Sequence, residues 1–240
     1  MRIYRSLGEL QRYVDSGGMM SRTFYVDAEN GDDSNDGSSS APFKTIKKAC
    51  DSVPIGGYGE IRCKTDQTFS LSESIHLINK TIYLQRNGDN KPTINFETYI
   101  WDNQNCSYHI TLRNSCLIIN NFILNNAPKL DSSLDWGILG GVGVPLVVCG
   151  DSHYFGILSL KYCEINQTRD YFISSKHGFG MVTAISSIIN FSEDASALIN
   201  RDYGTVSLNI YNSTATSNYK WVANGTIGQN VITNLSSLDT

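Results

Sequence analysis

The fold is decided by three similar stretches of sequence: GILSL at 156–160, GMVTA at 180–184 and GTVSL at 204–208. They recur at a constant 24-residue period, and each has apolar side chains at its third and fifth positions with a hydroxyl residue between them. Alternate side chains of a β-strand face opposite ways. The repeat therefore predicts three strands with two inward apolar columns and one outward hydroxyl column.

The repeat reaches beyond these strands. Asn166 and Asn190 are separated by the same period, and counting back two periods from Leu158 leads to Ile110, which opens a similar apolar-Thr-apolar stretch. A period of about 20–50 residues is typical of stacked units that bury a core only together. Short strands and tight turns then predict a parallel β-helix with coils about 4.8 Å apart. Chance alignment of strands in a β-sandwich remains the alternative.

The composition limits the class of protein. The chain has 240 residues, 40% of them hydrophobic and 18% charged, with a net charge of −4. This excludes a disordered tail and a disulfide-stapled miniprotein. Without a run of Lys or Arg, no nucleic-acid or anionic-membrane partner is expected. Neutral polar residues replace charged ones, which suits a stack of coils because an outward charge would be repeated beside itself in neighbouring coils.

The segment 1–19 differs from the rest. Ser6 and Glu9 have capping-box spacing, and Leu7, Leu10 and Val14 recur at helical spacing. They predict a short amphipathic helix whose apolar side chains must pack either on its own domain or on a partner protein. The N-terminus lacks the apolar core of a signal peptide, and no stretch is apolar enough to span a membrane. The sequence thus favours a soluble protein made without a signal peptide.

The next segment predicts a strand, a loop and a helix. Residues 23–26 form an apolar strand, residues 30–37 are rich in turn formers, and Pro42 suits the first turn of a helix that Pro54 closes. After Gly59 the pattern has a period of two, and no second helix is predicted there.

These residues carry a family resemblance. FYVD at 24–27, GDDSNDG at 31–37 and APFKTIKKA at 41–49 resemble the opening of right-handed parallel β-helix proteins of the pectate-lyase-like superfamily, which includes bacteriophage tailspikes. The resemblance implies an all-β, right-handed parallel β-helix whose N-terminal end is covered by a helix. The expected organisation is a docking segment at 1–19 and a β-helix domain at 20–240, with its cap at 20–58.

The resemblance also implies assembly. Phage tail proteins of this kind are typically homotrimers that fold in the host cytoplasm and join the particle through an N-terminal element. We therefore expect a homotrimer located in the virion, with residues 1–19 contacting other tail or baseplate proteins.

Cleavage of a glycan would require two carboxylates about 5–9.5 Å apart. The acidic residues of the second half are Asp131, Asp135, Asp151, Glu164, Asp170, Glu193, Asp194 and Asp202. The weak catalytic candidates among them are Asp151, Glu164, Asp170 and Asp194. Asp170 and Asp194 share the 24-residue period but fall between strands, where Asp is an ordinary turn residue. One period after Glu164 the sequence has Ile188, so no acidic column forms.

No metal or cofactor site is predicted. The Asp-rich loop has Phe43 where an EF-hand starting at Asp32 requires Glu, so we interpret the loop as a structural turn. His153 and His177 also lie one period apart, but two ligands make no complete site. The six cysteines lack zinc spacing and are interpreted as buried thiols.

Aromatic residues supply the predicted ligand site. They surround the Gly-rich stretch 137–143, and they are Trp136, Tyr154, Tyr162, Tyr171 and Phe172. Aromatic faces beside Asn and Asp suit stacking and hydrogen bonding of sugars. A subunit interface would use the same residues and stays open as an alternative.

The sequence as a whole predicts a phage tail spike or fibre that recognises host-surface polysaccharide. Three weak sites in a trimer would bind together and gain avidity. Whether the chain is an enzyme is left open. A polysaccharide depolymerase, either a hydrolase or a lyase, is the first alternative, and a structural virion adaptor is the second.

Overall fold

A computed structural model shows that short parallel strands dominate the chain. The structure describes residues 21–126, 129–135, 145–149, 154–168, 171–175, 178–192, 197–201, 205–216, 220–223 and 225–237. The predicted docking residues Leu7, Leu10 and Val14 lie outside these ranges. The strands form three parallel sheets, here called A, B and C, and one antiparallel hairpin.

Sheet A contains β1 (Ser21–Val26), β2 (Tyr58–Lys64), β5 (Thr81–Asn87), β10 (Ser115–Asn120), β13 (Phe155–Lys161), β16 (Phe179–Ile185), β19 (Thr205–Tyr211) and β22 (Val231–Thr233). Sheet B contains β3 (Thr68–Leu71), β6 (Thr93–Phe96), β11 (Ile123–Asn126), β14 (Glu164–Gln167), β17 (Ile188–Phe191) and β20 (Thr214–Ala215). Sheet C contains β4 (Ile75–Ile78), β9 (Ile110–Arg113), β12 (Leu146–Cys149), β15 (Ile173–Ser175), β18 (Ala197–Asn200) and β21 (Lys220–Ala223). The hairpin is β7 (Thr98–Trp101) and β8 (Gln104–Ser107), and the described helix is α1 (Ile46–Ser52).

The chain visits the three sheets in a constant order. From β2 onward it passes from sheet A to B to C and back to A, and each strand pairs in parallel with the strands one turn before and after it. Within the described residues this order is completed six times. A chain that winds through parallel sheets in this way has the topology of a parallel β-helix.

The predicted 24-residue register holds for one turn. Leu158 pairs with Val182 and Leu160 with Ala184, as expected. The next turn is longer, because Val182 pairs with Leu208 rather than with Val206. The prediction that Val206 and Ser207 continue the columns of Val182 and Thr183 was therefore wrong.

The insertion that lengthens this turn can be located. β14 and β17 still pair at the predicted period, with Ile165 opposite Ile189, whereas β15 and β18 pair two positions further apart, with Ile173 opposite Ile199. The insertion thus lies between Ile189 and Ile199. A shift of two residues leaves every side chain on its original face, so the apolar columns survive it.

The prediction that Ile110 lies two turns before Leu158 in the same column was also wrong. Ile110 lies in sheet C, whereas the partner of Leu158 in the preceding turn is Leu117, at a sequence separation far longer than the predicted period. The hairpin and the stretch before β12 lengthen the earlier turns. A constant period therefore cannot be extended across them.

The core lies inside the coils. Inward side chains such as Ile61, Leu84, Ile119, Leu160 and Ala184 are completely buried, and their partners in neighbouring turns belong to one apolar cluster. Burial of each large aliphatic side chain contributes about 1.5–3 kcal/mol relative to exposure. Because each coil supplies only a few such side chains, the core depends on stacking.

The N-terminal cap begins as a strand, as predicted, but its helix starts later than expected. Pro42 precedes the helix, and Phe43 forms a parallel bridge with Val26. Thr45 is the N-cap, and its hydroxyl accepts a hydrogen bond from the backbone N–H of Lys48 at 3.1 Å. Phe43 therefore pairs with the strand, and the helix starts only after it.

The Asp-rich loop is a structural turn, as interpreted from the sequence. Asp32 accepts a hydrogen bond from the backbone N–H of Ser34, and Asp36 accepts one from Ser38. Asp33 accepts hydrogen bonds from the backbone N–H groups at the start of the helix, at 2.8 and 2.9 Å. The loop carboxylates are thus used to hold the cap together.

Among the described residues, no helix has the length and apolar character needed to cross a membrane.

Candidate functional site

A ladder of asparagine side chains runs along the outer face of sheet B. Asn95, Asn125, Asn166 and Asn190 occupy the same position in four successive turns. Each later amide donates a hydrogen bond from Nδ2 to Oδ1 of the one before it, at 3.0, 2.8 and 2.7 Å. The sequence had predicted the alignment of Asn166 with Asn190, and the structure confirms it.

The ladder keeps hydrogen-bonding capacity for a ligand. A carboxamide has two N–H donors and two acceptor lone pairs, and an inner member of the ladder uses one of each. All four side chains are half-buried rather than enclosed. The outer face therefore offers an acceptor at each turn, about 4.8 Å apart, and a donor at the turns of Asn95, Asn125 and Asn166. Asn190 uses its second donor within the face. We call the outward side chains of sheet B the ladder face.

Glu164 belongs to the same face. It is the first residue of β14, and its carboxylate accepts a hydrogen bond from Asn190 Nδ2 at 3.3 Å. Its partners in the neighbouring turns are Ile123 and Ile188, as the sequence had indicated for Ile188. Among the described residues, no carboxylate stands beside Glu164 in its column. The Glu164 carboxylate can accept hydrogen bonds from hydroxyl groups that approach this face.

Tyr162 stands at the corner that leads into the ladder face. Its side chain is 50% exposed, and its backbone has a φ of 54°. The same corner uses left-handed backbone in other turns, at Asn121, Ser186 and Asn212. Asn tolerates this conformation, whereas a bulky residue such as Tyr is rare in it. A strained and exposed aromatic residue beside a polar face is a candidate for ligand contact.

The other predicted aromatic residues do not join Tyr162. Tyr154 precedes β13 at the corner between sheets C and A, with the Arg113 guanidinium 5.4 Å from its ring centre. Tyr171 precedes β15 at the corner between sheets B and C. Residues eight or nine apart lie about one third of a turn apart, so they fall on different corners. Tyr154, Tyr162 and Tyr171 therefore do not form one site, and the ligand-binding role of Tyr154 and Tyr171 stays a prediction.

Phe172 is a core residue. Its side chain is completely buried and packs edge-to-face on Phe96, with ring centres 5.8 Å apart. No face of the ring is available to a sugar, which corrects the predicted ligand-binding role.

Several candidates cannot be placed. Trp136, Asp151, Asp170 and Asp194 lie outside the described residues, as do His153, His177, Glu193 and Asp202. Asp131 and Asp135 lie on a described loop, where Asp131 accepts hydrogen bonds from the backbone and hydroxyl of Ser133. These bonds hold the pKa of Asp131 below its ordinary value.

The sequence reasoning missed an exposed tryptophan. Trp101 ends β7 and is 54% exposed at the tip of the hairpin, where Asp102 and Asn103 both have positive φ. An Asp-Asn pair between two alternating segments is a signal for such a two-residue turn. The hairpin follows directly after β6, where the strands of sheet B end, whereas Tyr162 stands where they begin. The hairpin therefore borders the ladder face on the side opposite to Tyr162.

A buried asparagine fastens the loop of the next turn to this hairpin. Asn105 is completely buried, and its side chain makes four hydrogen bonds of 2.8–3.1 Å with the backbone of Leu130, Asp131 and Leu134. These hydrogen bonds therefore hold the hairpin in place against the loop.

The described residues contain no group of three or more His, Cys, Asp or Glu side chains that could hold a metal ion. Cys50, Cys63, Cys106 and Cys163 are buried thiols that form no disulfide, as predicted, while Cys116 is half-buried. Burial raises the pKa of Cys50 to about 12 and that of Cys163 to about 11. These thiols are therefore unsuited to act as nucleophiles at neutral pH.

Comparison with known proteins adds little to this geometry. No family model matches the chain, and no curated protein matches it. A solved structure of a rhamnogalacturonan lyase overlaps it with a TM-score of 0.36 and 12% sequence identity, covering 81% of this chain and 74% of that chain. The order and pairing of the strands, rather than this overlap, carry the fold assignment.

Proposed function

We propose that this protein is a polysaccharide-binding β-helix whose ladder face holds an extended glycan. The asparagine ladder carries the proposal, because a repeated donor and acceptor suits a polymer with repeated hydroxyl groups. Glu164 accepts further hydroxyl hydrogen bonds, and Tyr162 supplies an aromatic face for stacking. Glycan hydroxyls both donate and accept, so each turn engages one part of the polymer.

The biological setting that we propose is a phage virion. The cap motif resembles the opening of pectate-lyase-like phage tailspikes, and on this basis we propose a right-handed β-helix attached to the tail through residues 1–19. Three copies in a spike engage the host-surface polysaccharide together, so that weak single sites give high avidity.

The outer face of sheet A supports assembly of several copies. Phe155 and Phe179 stack there with ring centres 5.7 Å apart, and the adjoining column contains Ile157 and Met181 as neighbours. Outward apolar side chains of this kind are typical of an interface between subunits. We propose that sheet A forms the trimer interface.

Binding is tested with purified lipopolysaccharide and capsule from candidate hosts by isothermal titration calorimetry. We expect Asn166→Ala to remove two ladder hydrogen bonds and to weaken binding about tenfold or more. Asn234→Ala is the matched control, since its side chain also makes two hydrogen bonds, both with the backbone of Ile210 and away from the ladder face. Equal loss in both variants, or unchanged binding by Asn166→Ala, contradicts the assignment of the ladder face.

The same incubations separate binding from cleavage. New reducing ends without unsaturated sugars would identify a hydrolase, and unsaturated sugars would identify a lyase. We expect neither, because Glu164 has no described carboxylate beside it in its column. Either product, if it is lost in Glu164→Gln, replaces the binding proposal with a depolymerase.

Assembly is tested by analytical ultracentrifugation. We expect a trimer that Met181→Asp dissociates, since it places a charge in the apolar face of sheet A. Thr214→Asp, on the exposed outer face of sheet B, is the control and leaves the trimer intact. A monomeric parent protein overturns the trimer.

A further inference from the structure

A second outward column runs beside the asparagine ladder on sheet B. Its members in five successive turns are Thr93, Ile123, Glu164, Ile188 and Thr214. The order of residue types is the same from either end: a hydroxyl, an isoleucine, a carboxylate, an isoleucine and a hydroxyl. Successive members lie about 4.8 Å apart. The column therefore places one shared acceptor between two apolar side chains, each of which is followed by a hydroxyl group.

The two isoleucines stand out on a polar face. Ile188 is 45% exposed, although its neighbours along the strand and across it include the ladder asparagines. Ile123, on the other side of Glu164, is half-buried. A single exposed apolar side chain is ordinary on a protein surface. Two of them, each one turn away from the same carboxylate, form a pattern that a ligand with apolar groups can use.

The carboxylate between the isoleucines is oriented but keeps acceptor capacity. Asn190 Nδ2 donates to Glu164 Oε1 at 3.3 Å. A carboxylate has about four lone-pair positions, so most of its capacity remains. Glu164 forms no ion pair with any cation in the described part of the chain. It can therefore accept hydrogen bonds from neutral N–H or O–H donors on both sides.

The charge of the face limits the class of sugar. Glu164 is the one charged side chain among the outward positions of the described sheet B strands, which otherwise carry Ser, Thr, Ile and Asn. At the corner before these strands, Asp66 and Lys91 lie in adjacent turns, so their charges oppose each other. An acidic sugar would bring a like charge towards Glu164, which is unfavourable. A neutral group fits the column better.

A secondary amide with a methyl group matches one half of the column. In a trans amide the N–H and the C=O point in opposite directions. Placed over Ile188, such an amide donates its N–H to Glu164 and accepts from the hydroxyl of Thr214, which can rotate to donate. The two partner atoms of an amide are roughly 8 Å apart. Strands two turns apart are separated by about 9.6 Å, so a small lean of the two side chains closes the gap.

We propose that this column binds the acetamido groups of a glycan that contains N-acetylated amino sugars. One acetamido methyl packs on Ile188 and a second packs on Ile123, where Thr93 takes the part of Thr214. The N–H groups of both donate to the carboxylate of Glu164. The proposal rests on glycan binding to the ladder face and names the class of sugar that binds there.

The class of sugar is tested with monosaccharides, because their binding does not depend on the linkage of a polymer. Saturation-transfer NMR with the full chain compares N-acetylglucosamine, glucose, glucosamine and glucuronic acid. We expect N-acetylglucosamine to bind about tenfold more tightly than glucose, with the largest transfer at its acetyl methyl. Equal or tighter binding of glucose or glucuronic acid overturns the proposal. Tighter binding of glucosamine also overturns it, since Glu164 would then pair with an ammonium group.

Three variants locate the binding. Glu164→Ala removes the acceptor that both positions share and should weaken N-acetylglucosamine about tenfold. Ile188→Ser should lower the transfer to the acetyl methyl by about half, because the position at Ile123 remains. Ile78→Ser is the matched control, since Ile78 is 38% exposed but lies on sheet C, and it should change nothing. Circular dichroism melting checks that each variant is folded, and unchanged binding by Glu164→Ala refutes the proposed site.

The titration with host polysaccharide separates this proposal from the one on which it rests. Polysaccharide binding that is lost in Asn166→Ala, without a preference for N-acetylglucosamine, keeps the ladder face and refutes the acetamido column. Absence of binding by the polysaccharides and by all four monosaccharides overturns both.

Discussion

The backbone conformation at a corner, or the hydrogen-bond network at a position, decides which residue fits there. Asn at a left-handed corner is expected from its backbone tolerance, but Tyr162 at the same corner is not. Asp27, by contrast, is well matched to its surroundings. Its two carboxylate oxygens accept hydrogen bonds from the backbone of Glu29 and Asn30 and from the side chains of Gln67 and Lys64.

Replacing Tyr162 with Asn should stabilise the protein while weakening the proposed glycan binding. The substitution relieves left-handed strain of about 1 kcal/mol and removes the aromatic face. Urea unfolding and calorimetric titration with the same glycan measure the two effects. Tyr211→Asn is the control, since Tyr211 is 49% exposed but has no positive φ. A destabilised Tyr162→Asn protein would show that the ring contributes packing that outweighs the strain.

Asp27 should make stability depend on pH. Burial raises the pKa of Asp27, but the hydrogen bonds from Lys64, Asn30, Gln67 and Glu29 lower it further, so the net pKa lies well below its ordinary value. A carboxyl whose pKa is depressed by folding stabilises the native state above its unfolded pKa of about 3.9 and loses that contribution as the pH falls.

The variant Asp27→Asn isolates this contribution. At pH 7 it should lose about 1.5–3 kcal/mol of unfolding free energy, as expected for hydrogen bonds to a charged group. The difference from the parent protein should shrink as the pH falls below about 4. Denaturant titrations from pH 7 to pH 2 measure it, and a difference that is constant across this range contradicts the assignment to the Asp27 charge.

The elements of the fold differ in how well they tolerate insertions and substitutions. The connection from sheet B to sheet C accepts changes in length, as the two-residue insertion between β17 and β18 shows. The cap is less tolerant, because its loop, helix and first strand share a small space. The N–H of Asp27 donates to the Phe43 carbonyl at 2.9 Å, and the N–H of Gly31 donates to the Asp27 carbonyl at 2.9 Å.

Gly31→Ala should disrupt the cap. A Cβ atom at Gly31 would overlap the backbone oxygens of Phe43 and Asp27, which cannot move without breaking the strand arrangement. We expect a loss of about 3 kcal/mol. Gly56→Ala is the comparison, since its φ is 79° but no atom lies within 4 Å of the added Cβ, and it should lose about 1 kcal/mol. Similar losses in thermal unfolding of the two variants would show that the overlap is relieved.

The whole molecule is a stack in which each turn is buried by the next. Its stability therefore depends on neighbouring turns, and opening of a turn exposes thiols that are otherwise inaccessible. The proposed trimer adds a second level of burial on sheet A. Cys116 lies on that face, between Thr81 and Ile157 of the neighbouring turns.

Thiol labelling should report both the stacking of the turns and the assembly of the trimer. In the native protein, iodoacetamide should leave Cys50, Cys63 and Cys163 unmodified, because they are buried and burial raises the pKa of each. Cys116 should be protected in the trimer and react slowly when Met181→Asp separates the subunits. Mass spectrometry of the labelled peptides measures this, and rapid native labelling of Cys163 would contradict the stacked core.

Much of the fold could be predicted from the residues themselves. The period of two, the apolar columns around Leu158 and the cap motif are local patterns, because strand alternation depends only on neighbouring positions. The polar but weakly charged composition likewise agrees with a stack of coils. The pairing of Asn166 with Asn190 followed from the same repeat.

Only the tertiary structure decided which residues meet. Turns of different length place Leu117 beside Leu158 and Leu208 beside Val182, at separations that no constant period predicts. Tyr154, Tyr162 and Tyr171 are close in sequence but fall on different corners, whereas Asn125 and Asn166 are distant in sequence and share a hydrogen bond. In a coiled chain the spatial neighbours lie one full turn away. The length of that turn depends on its inserted loops, and these carry no signal in the strand pattern.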